Sequence, residues 1–333
     1  MRLIIYKSVI CLPQSGLVLL VILIALTGCS SSSPTPVRPP SIAVDQPSSQ
    51  ATLPPTEMIF SSPTPETILR FAVIGDYGIA GDDLRQVANM VVSWTPDLII
   101  TTGDNNYPEG SPDTIDENIG QYFHEFIASY RGDFGTGADI NRFFPSLGNH
   151  DWITSHAQPY LDYFTLPGNE RYYDFIRGDV HFFALDSDTQ EPDGVGRSSK
   201  QAQWLQTSLA VSTSPWNVVF THYPPYSSGY HGSTDWMLWP YKQWGASIVL
   251  AGHDHDYERL IVDDFPYLVI GLSGNGSYPF VVPLPGSQLR HSYDQCAILA
   301  VATAKYLGFE LICVPDILVD SFMLQKTIQQ PKP

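Results

Sequence analysis

Positive charge is scarce in this chain: Lys and Arg number 17 against 34 Asp and Glu, giving a formal charge of −17 over 333 residues. That balance argues against nucleic acid and anionic lipid surfaces as partners, since both are held largely through Lys and Arg. It leaves room for a small phosphorylated substrate, because bound metal ions are the largest local charges in such a site and dominate its field. Long apolar runs are also lacking. The stretch Leu17 to Leu26 is apolar throughout but too brief to span a bilayer comfortably. Cysteine is sparse, with four in all, and no internal repeat is found. What the chain does have is 43% hydrophobic and 12% aromatic residues, enough to bury a substantial core in one large domain or two small ones.

Arg2 and Lys7 precede the apolar run, and together they read as a secretory signal over residues 1–28. These 28 residues hold no acid, so their removal would take the charge from −17 to −19. The run ends at Leu26-Thr27-Gly28-Cys29, which resembles the bacterial lipobox. The resemblance implies cleavage before Cys29, lipidation of its sulfur, and a mature protein tethered to a membrane outside the cytoplasm, in the periplasm or at the cell surface. Residues 29–66 shift to Ser, Pro and Thr with few large apolar side chains, a linker without a core that would hold a folded domain away from the membrane. With Cys11 lost and Cys29 lipidated, Cys296 and Cys313 remain, flanking an expected hairpin of Ala297 to Val301 and Gly308 to Ile312. Two readings stay open there: a bridge, in an oxidising compartment, or two buried free thiols.

The folded domain, expected over residues 67–326 with a tail at 327–333, opens with Leu69 to Ile74, a strand, and the turn Gly75-Asp76-Tyr77-Gly78. Leu84, Val87, Ala88 and Val91 follow at helical spacing, with Asp82 and Asp83 at the start and Pro96 as the stop. Leu98 to Ile100 is the next strand, which makes a βαβ unit and at least a partly parallel sheet, with ligands expected at strand C-termini. Further along, Thr114 to Tyr130 and Ser198 to Val211 read as helices, and Arg171 to Asp186 reads as a hairpin turning at Gly178-Asp179. Trp216 to Thr221, Ser247 to Ala251, Tyr267 to Leu272, Cys296 to Val301 and Gly308 to Cys313 read as strands.

Five short motifs that supply metal-ligand side chains each follow an apolar run. They are Gly75-Asp76-Tyr77-Gly78, Gly103-Asp104-Asn105-Asn106-Tyr107, Gly148-Asn149-His150-Asp151, Val219-Phe220-Thr221-His222 and Gly252-His253-Asp254-His255. Singly, each has an ordinary explanation: Asp76 and Asp104 as turn residues, Asn149 as a loop amide, His222 as a core histidine, Tyr107 as packing. Five in this order, all at expected strand ends, are not a chance pattern.

The set resembles the metallophosphoesterases and, within them, the purple acid phosphatases, whose motifs are DxG, GDxxY, GNH followed by an acid, VxxH and GHxH. The subgroup rests on a correlated pair: where ordinary metallophosphoesterases carry DxH, this chain has Gly78, and the missing ligand reappears as Tyr107. A phenolate is a hard anionic donor suited to ferric iron. The resemblance implies a ferric site of Asp76, Tyr107 and His255, a divalent site (Zn, Fe or Mn) of Asn149, His222 and His253, and Asp104 bridging both. The glycine turn at Gly252 would let His253 and His255 face different metals. A metal pair about 3.5–4 Å apart makes a nucleophile from water and clamps an anionic phosphoryl group. His150 and His231 resemble the family's substrate-facing histidines and are the candidates for protonating the leaving group. His231 reads equally as a mobile surface residue, and His150 as orienting the site or Asp151. The implied fold is α/β, a four-layer arrangement in which a β-sandwich of two mixed sheets is flanked by helices; the N-terminal β-sandwich of larger plant-type members has no counterpart before Leu69.

The resulting expectation is phosphomonoester hydrolysis outside the cytoplasm. A phosphodiesterase or nucleotide hydrolase with the same centre, and a surface-tethered binding protein with a vestigial site, are the alternatives. The oligomeric state is not legible in the sequence.

Overall fold

A computed structural model describes residues 67–326. The expected leader, Cys29, the linker and residues 327–333 lie outside the described residues.

The opening βαβ unit forms as the periodicity predicts. Strand β1 (Leu69–Ile74) leads through a tight turn into helix α1 (Asp82–Ser93), which buries Leu84, Val87, Ala88, Met90 and Val91. Asp82 and Asp83 sit at its N-terminus, where the helix dipole favours negative charge. Strand β2 (Leu98–Thr101) then pairs parallel to β1, and β3 (Phe143–Pro145) pairs parallel to β2. The segment expected as one helix from Thr114 to Tyr130 is shorter and irregular: a widened turn at Asp116–Gly120, the single turn α2 (Gln121–Phe123) and a tightened turn at His124–Phe126. Its side chains account for this. The Asp116 carboxylate accepts from Tyr130 Oη, Tyr163 Oη and the Asp133 amide at 2.7, 2.7 and 2.8 Å. The Asn118 amide donates to Asn106 Oδ1 at 2.8 Å and Tyr107 O at 3.1 Å, pulling the backbone away from regular helix toward the site.

Helices α3 (Asn149–Ile153) and α4 (Gln158–Tyr163) follow β3. The expected hairpin is β4 (Tyr173–Arg177) and β5 (Val180–Ala184), joined at Gly178-Asp179. Helix α5 (Lys200–Val211) is capped by Ser199, whose side chain accepts from the Ala202 amide. Strand β6 (Trp216–Phe220), helix α6 (Tyr241–Trp244) and strand β7 (Ile248–Ala251) complete the run to the last motif. Beyond it lie β8 (Tyr257–Val262), β9 (Phe265–Ile270), β10 (Ser287–His291), β11 (Cys296–Ala302), β12 (Tyr306–Cys313) and β13 (Ile317–Gln325).

These strands make two mixed sheets, one ordered β13-β12-β11-β1-β2-β3 and the other β10-β8-β9-β7-β6-β5-β4. They face each other across a shared core, in which Phe71 of β1 meets Phe182 of β5 edge to face at 5.1 Å. Burying each such ring is worth about 1.5–3 kcal/mol. The outer face of the second sheet is closed by Ala202, Leu205 and Leu209 of α5 against Phe183, Val219 and Val249, with Trp239 and Tyr241 alongside. Polar ties cross between the sheets, among them Trp216 Nε1 donating to Thr303 O at 2.7 Å, Tyr173 Oη donating to Pro145 O at 2.6 Å, and Asp320 of β13 accepting from Tyr257 Oη and Arg259 Nε of β8, both at 2.7 Å. Cys296 and Cys313 are directly opposed in the β11–β12 pairing and are bridged, which closes the choice left open by the sequence. Among the described residues no helix is long and apolar enough to cross a membrane. The α/β sandwich of two mixed sheets flanked by helices is therefore the observed architecture.

Candidate metal centre

All five motifs leave the C-terminal ends of parallel strands or the turns just beyond them, three from the first sheet (after β1, β2, β3) and two from the second (after β6, β7). The chain turns sharply at each. Asp76, Asp104 and His253 hold left-handed backbone angles, φ 54°, 53° and 70°, a conformation that costs L-residues energy and that short polar side chains tolerate best. Gly252 lies so close to the first motif that a Cβ there would stand 2.5 Å from Asp76 Oδ2 and 2.8 Å from Thr102 O. Gly78 is packed similarly: its Cβ would meet the Asn105 carbonyl at 2.1 Å, so no larger residue fits on this backbone. Nearby, the Tyr107 amide donates to Gly78 O at 2.7 Å, so the two halves of the correlated pair are neighbours.

The seven candidate ligands converge in two groups that share one carboxylate. In the first, Tyr107 Oη lies 3.3 Å from Asp76 Oδ1 and 3.2 Å from His255 Nε2, and His255 Nε2 is 3.5 Å from Asp76 Oδ1. In the second, His222 Nε2 lies 2.9 Å from Asn149 Oδ1 and 3.2 Å from His253 Nδ1. Asp104 faces both, with Oδ2 at 3.0 Å from Tyr107 Oη and Oδ1 at 3.4 Å from His222 Nε2. Donor atoms of Asp76, Asp104 and His222 all fall within 4.8 Å of one another. A second such group, His291 with Cys296 and Cys313, has both sulfurs tied up in the disulfide.

Proton counting shows what this arrangement demands. His222 Nδ1 donates to Thr102 O at 2.9 Å and His255 Nδ1 to Gly276 O at 2.7 Å, so in the neutral rings both Nε2 atoms are bare lone pairs. Yet His222 Nε2 sits 2.9 Å from the oxygen of Asn149, also an acceptor. The single phenol proton of Tyr107 faces three acceptors, on Asp76, Asp104 and His255. Burial, followed by the charge of Asp104, raises the Asp76 pKa well above the carboxylate range. Burial with the Asp104 and Asp76 charges also raises the Tyr107 phenol. Burial pushes His255 down to about 4, and burial with neighbouring imidazoles lowers His253. Acceptors crowded without protons to share are held together well only by positive charge among them, and cations fit this oxygen and imidazole set.

Supporting contacts lock the ligands in place. Asp151 is buried and accepts from the Gly148 amide at 2.8 Å and from Asn105 Nδ2 at 2.8 Å, fastening the second motif to the third. Burial and the Asp104 charge push it up to about 7. His150 donates its backbone N–H to Asp104 Oδ1 at 3.0 Å; its Nδ1 meets Pro108 O at 2.5 Å and its ring lies 4.5 Å from that of Tyr107. His231 is exposed, held through its backbone N–H on Asp254 Oδ1 at 2.7 Å, with its ring 4.3 Å from that of His253. Both candidate proton donors thus border the cluster. Sequence reasoning missed Tyr223, whose ring lies 4.3 Å from His253, and Tyr278, which stacks flat on His255 at 4.2 Å. Neither sits in a motif. It also passed over Asp254, the residue between the two histidines, which accepts from Ser227 Oγ and from the His231 and Gly232 amides.

Comparison with known proteins agrees with this geometry. Residues 69–257 match the family model of the calcineurin-like phosphoesterases. The tartrate-resistant acid phosphatase type 5 of Rattus norvegicus is 24% identical over 311 residues, covering 81% of this chain and 93% of its own length. The purple acid phosphatase of Glycine max is 25% identical over 214 residues, 59% of this chain, and this chain spans 44% of that protein. Among solved structures, the purple acid phosphatase PPD1 of yellow lupin (Lupinus luteus) superposes with a TM-score of 0.65 at 17% identity, over 79% of this chain and 55% of its own. GAP50, described as the anchor in the inner membrane complex of Plasmodium, superposes with a TM-score of 0.61 at 16% identity, over 78% and 89%. With the fold, the five motifs and the family match in agreement, the chain belongs to the calcineurin-like phosphoesterases, as a hydrolase of phosphoric esters whose relatives include purple acid phosphatases.

Proposed function

We propose that this chain hydrolyses phosphate monoesters at a dinuclear centre of ferric iron and a divalent ion, releasing inorganic phosphate outside the cytoplasm. The observation that carries the reading is the partition of six acceptor-bearing side chains into two groups of three around Asp104. Asp76, Tyr107 and His255 would hold the ferric ion and Asn149, His222 and His253 the divalent one, with Asp104 facing both groups. Such a pair supplies a nucleophile from water and a clamp for phosphoryl oxygens. The protein does the rest. Thr102 O and Gly276 O fix the tautomers of His222 and His255, so that Nε2 points inward. Asp151 and the left-handed turns fix the backbone that carries the ligands. His150 and His231 stand at the rim to give a proton to the leaving oxygen, His150 with Nδ1 already committed to Pro108 O and so acting through Nε2. The lipobox at Cys29 would anchor the enzyme to a bacterial membrane facing away from the cytoplasm, with a small phosphorylated molecule as substrate. The full ligand set favours an active enzyme over a vestigial site.

The test is spectroscopic. The purified protein should contain iron and show a visible tyrosinate-to-ferric band that Tyr107→Phe removes. A colourless, iron-free protein with full phosphatase activity would overturn the ferric assignment.

A further inference from the structure

The histidine side of the centre is walled by aromatic rings. Tyr223 lies 4.3 Å from His253 and 5.7 Å from Trp236. On the other flank, Tyr278 is stacked on His255 and lies 5.6 Å from Tyr230. His231 stands between, at 4.3 Å from His253, 5.1 Å from Tyr230 and 5.5 Å from Tyr278. The outer members of both pairs are open to solvent, Trp236 40% and Tyr230 63% exposed. Neither is loosely hung. Trp236 Nε1 donates to Ser187 O at 3.0 Å, and the Tyr230–His231 loop is pinned by the His231 amide on Asp254. Fixed, exposed aromatic faces rimmed by the polar ligands are the kind of surface that marks a ligand-binding groove.

We propose that Tyr230 and Trp236, backed by Tyr278 and Tyr223, form the leaving-group subsite of this enzyme and select phosphate monoesters whose alcohol or phenol is planar and aromatic. The inference rests on the phosphatase reading. A ring carried on the ester oxygen would lie against these faces, stacked or edge-on, while the phosphoryl group enters among the ligands. The reaction itself is unchanged: an oxygen from water joins phosphorus, the bond from phosphorus to the ester oxygen breaks, and a proton ends on the released alcohol.

The experiment uses the full-length protein purified with its metals. Calorimetric affinities for benzylphosphonate and methylphosphonate are compared, and in parallel kcat/KM for benzyl phosphate and methyl phosphate, whose leaving groups are both alkoxides. Benzyl should be preferred, and Tyr230→Ala and Trp236→Ala should each lower the benzyl-to-methyl ratio by about two- to tenfold, the range for one aromatic contact. Tyr230→Phe should keep it. A wild-type affinity ratio near one, or ratios unmoved in both alanine variants, overturns the subsite. Turnover of neither ester would refute the phosphatase reading instead, while the phosphonate affinities still decide the subsite.

Discussion

The residues whose convergence was legible from the sequence are those set at a fixed distance from a strand end. Asp76, Asp104, Asn149, His222, His253 and His255 follow apolar runs, and the backbone brings them together with Tyr107 as the motif order implies. Tyr223, Tyr278 and Trp236 were invisible because their partners lie on other segments, and a tyrosine in a loop carries no spacing rule. Buried acids outside the motifs were equally silent. Asp186 is fully buried, accepting from Trp152 Nε1 at 3.1 Å and the Asp188 amide at 3.0 Å, and burial with the nearby Glu191 charge raises its pKa well above the carboxylate range. The folded state therefore holds a proton there that the unfolded chain has already released. Stability from this group is full below the ordinary carboxylate range and declines as pH climbs through the window above it. Asp186→Asn should flatten that decline. Thermal unfolding midpoints of wild type and variant, recorded from pH 5 to 9, should diverge in the variant's favour toward high pH; parallel curves would refute the assignment.

At the scale of elements, periodicity served where one rule governed a whole segment, as in α1 with its apolar stripe and the β4–β5 hairpin with its Gly178-Asp179 turn. It failed where side chains overrode the backbone, as at Asp116 and Asn118, or where strands are half exposed. The nine residues of β13 expose Ile317 and Leu318 and bury Asp320, an inverted pattern that hides the strand. The β11–β12 hairpin was read correctly, and its closing bridge now has an energetic expectation. Cys296 and Cys313 are 17 residues apart, and a cross-link of that span stabilises by about 3 kcal/mol through the unfolded chain. The double variant Cys296→Ala, Cys313→Ala should lose roughly that much in urea unfolding, and wild-type protein under reducing agent should match it. A difference below about 0.5 kcal/mol would show that the strand pairing, already in register, needs no closure.

At the scale of the molecule, the candidate centre lies on the seam of the sandwich, with Asp76, Asp104, Tyr107 and Asn149 supplied by the first sheet's side and His222, His253 and His255 by the second's. Holding that seam at its far edge is Asp320 on β13, which accepts from Tyr257 Oη at 2.7 Å and from both Arg259 Nε and Nη2 at 2.7 and 3.1 Å. Tyr257 is two residues beyond His255. Asp320→Ala leaves a largely buried phenol and a guanidinium without their acceptor and should cost about 3 kcal/mol, read by chemical denaturation; a loss under about 1 kcal/mol would mean that water replaces it. A cation liganded from both sheets acts as a clasp between them, and linkage is reciprocal: what loosens the seam weakens the grip on the ion, and what fills the site tightens the seam. A substitution far from any ligand can then present as a metal deficiency, inactive in scarce supply and restored by excess ion, while its own chemistry has nothing to do with metals.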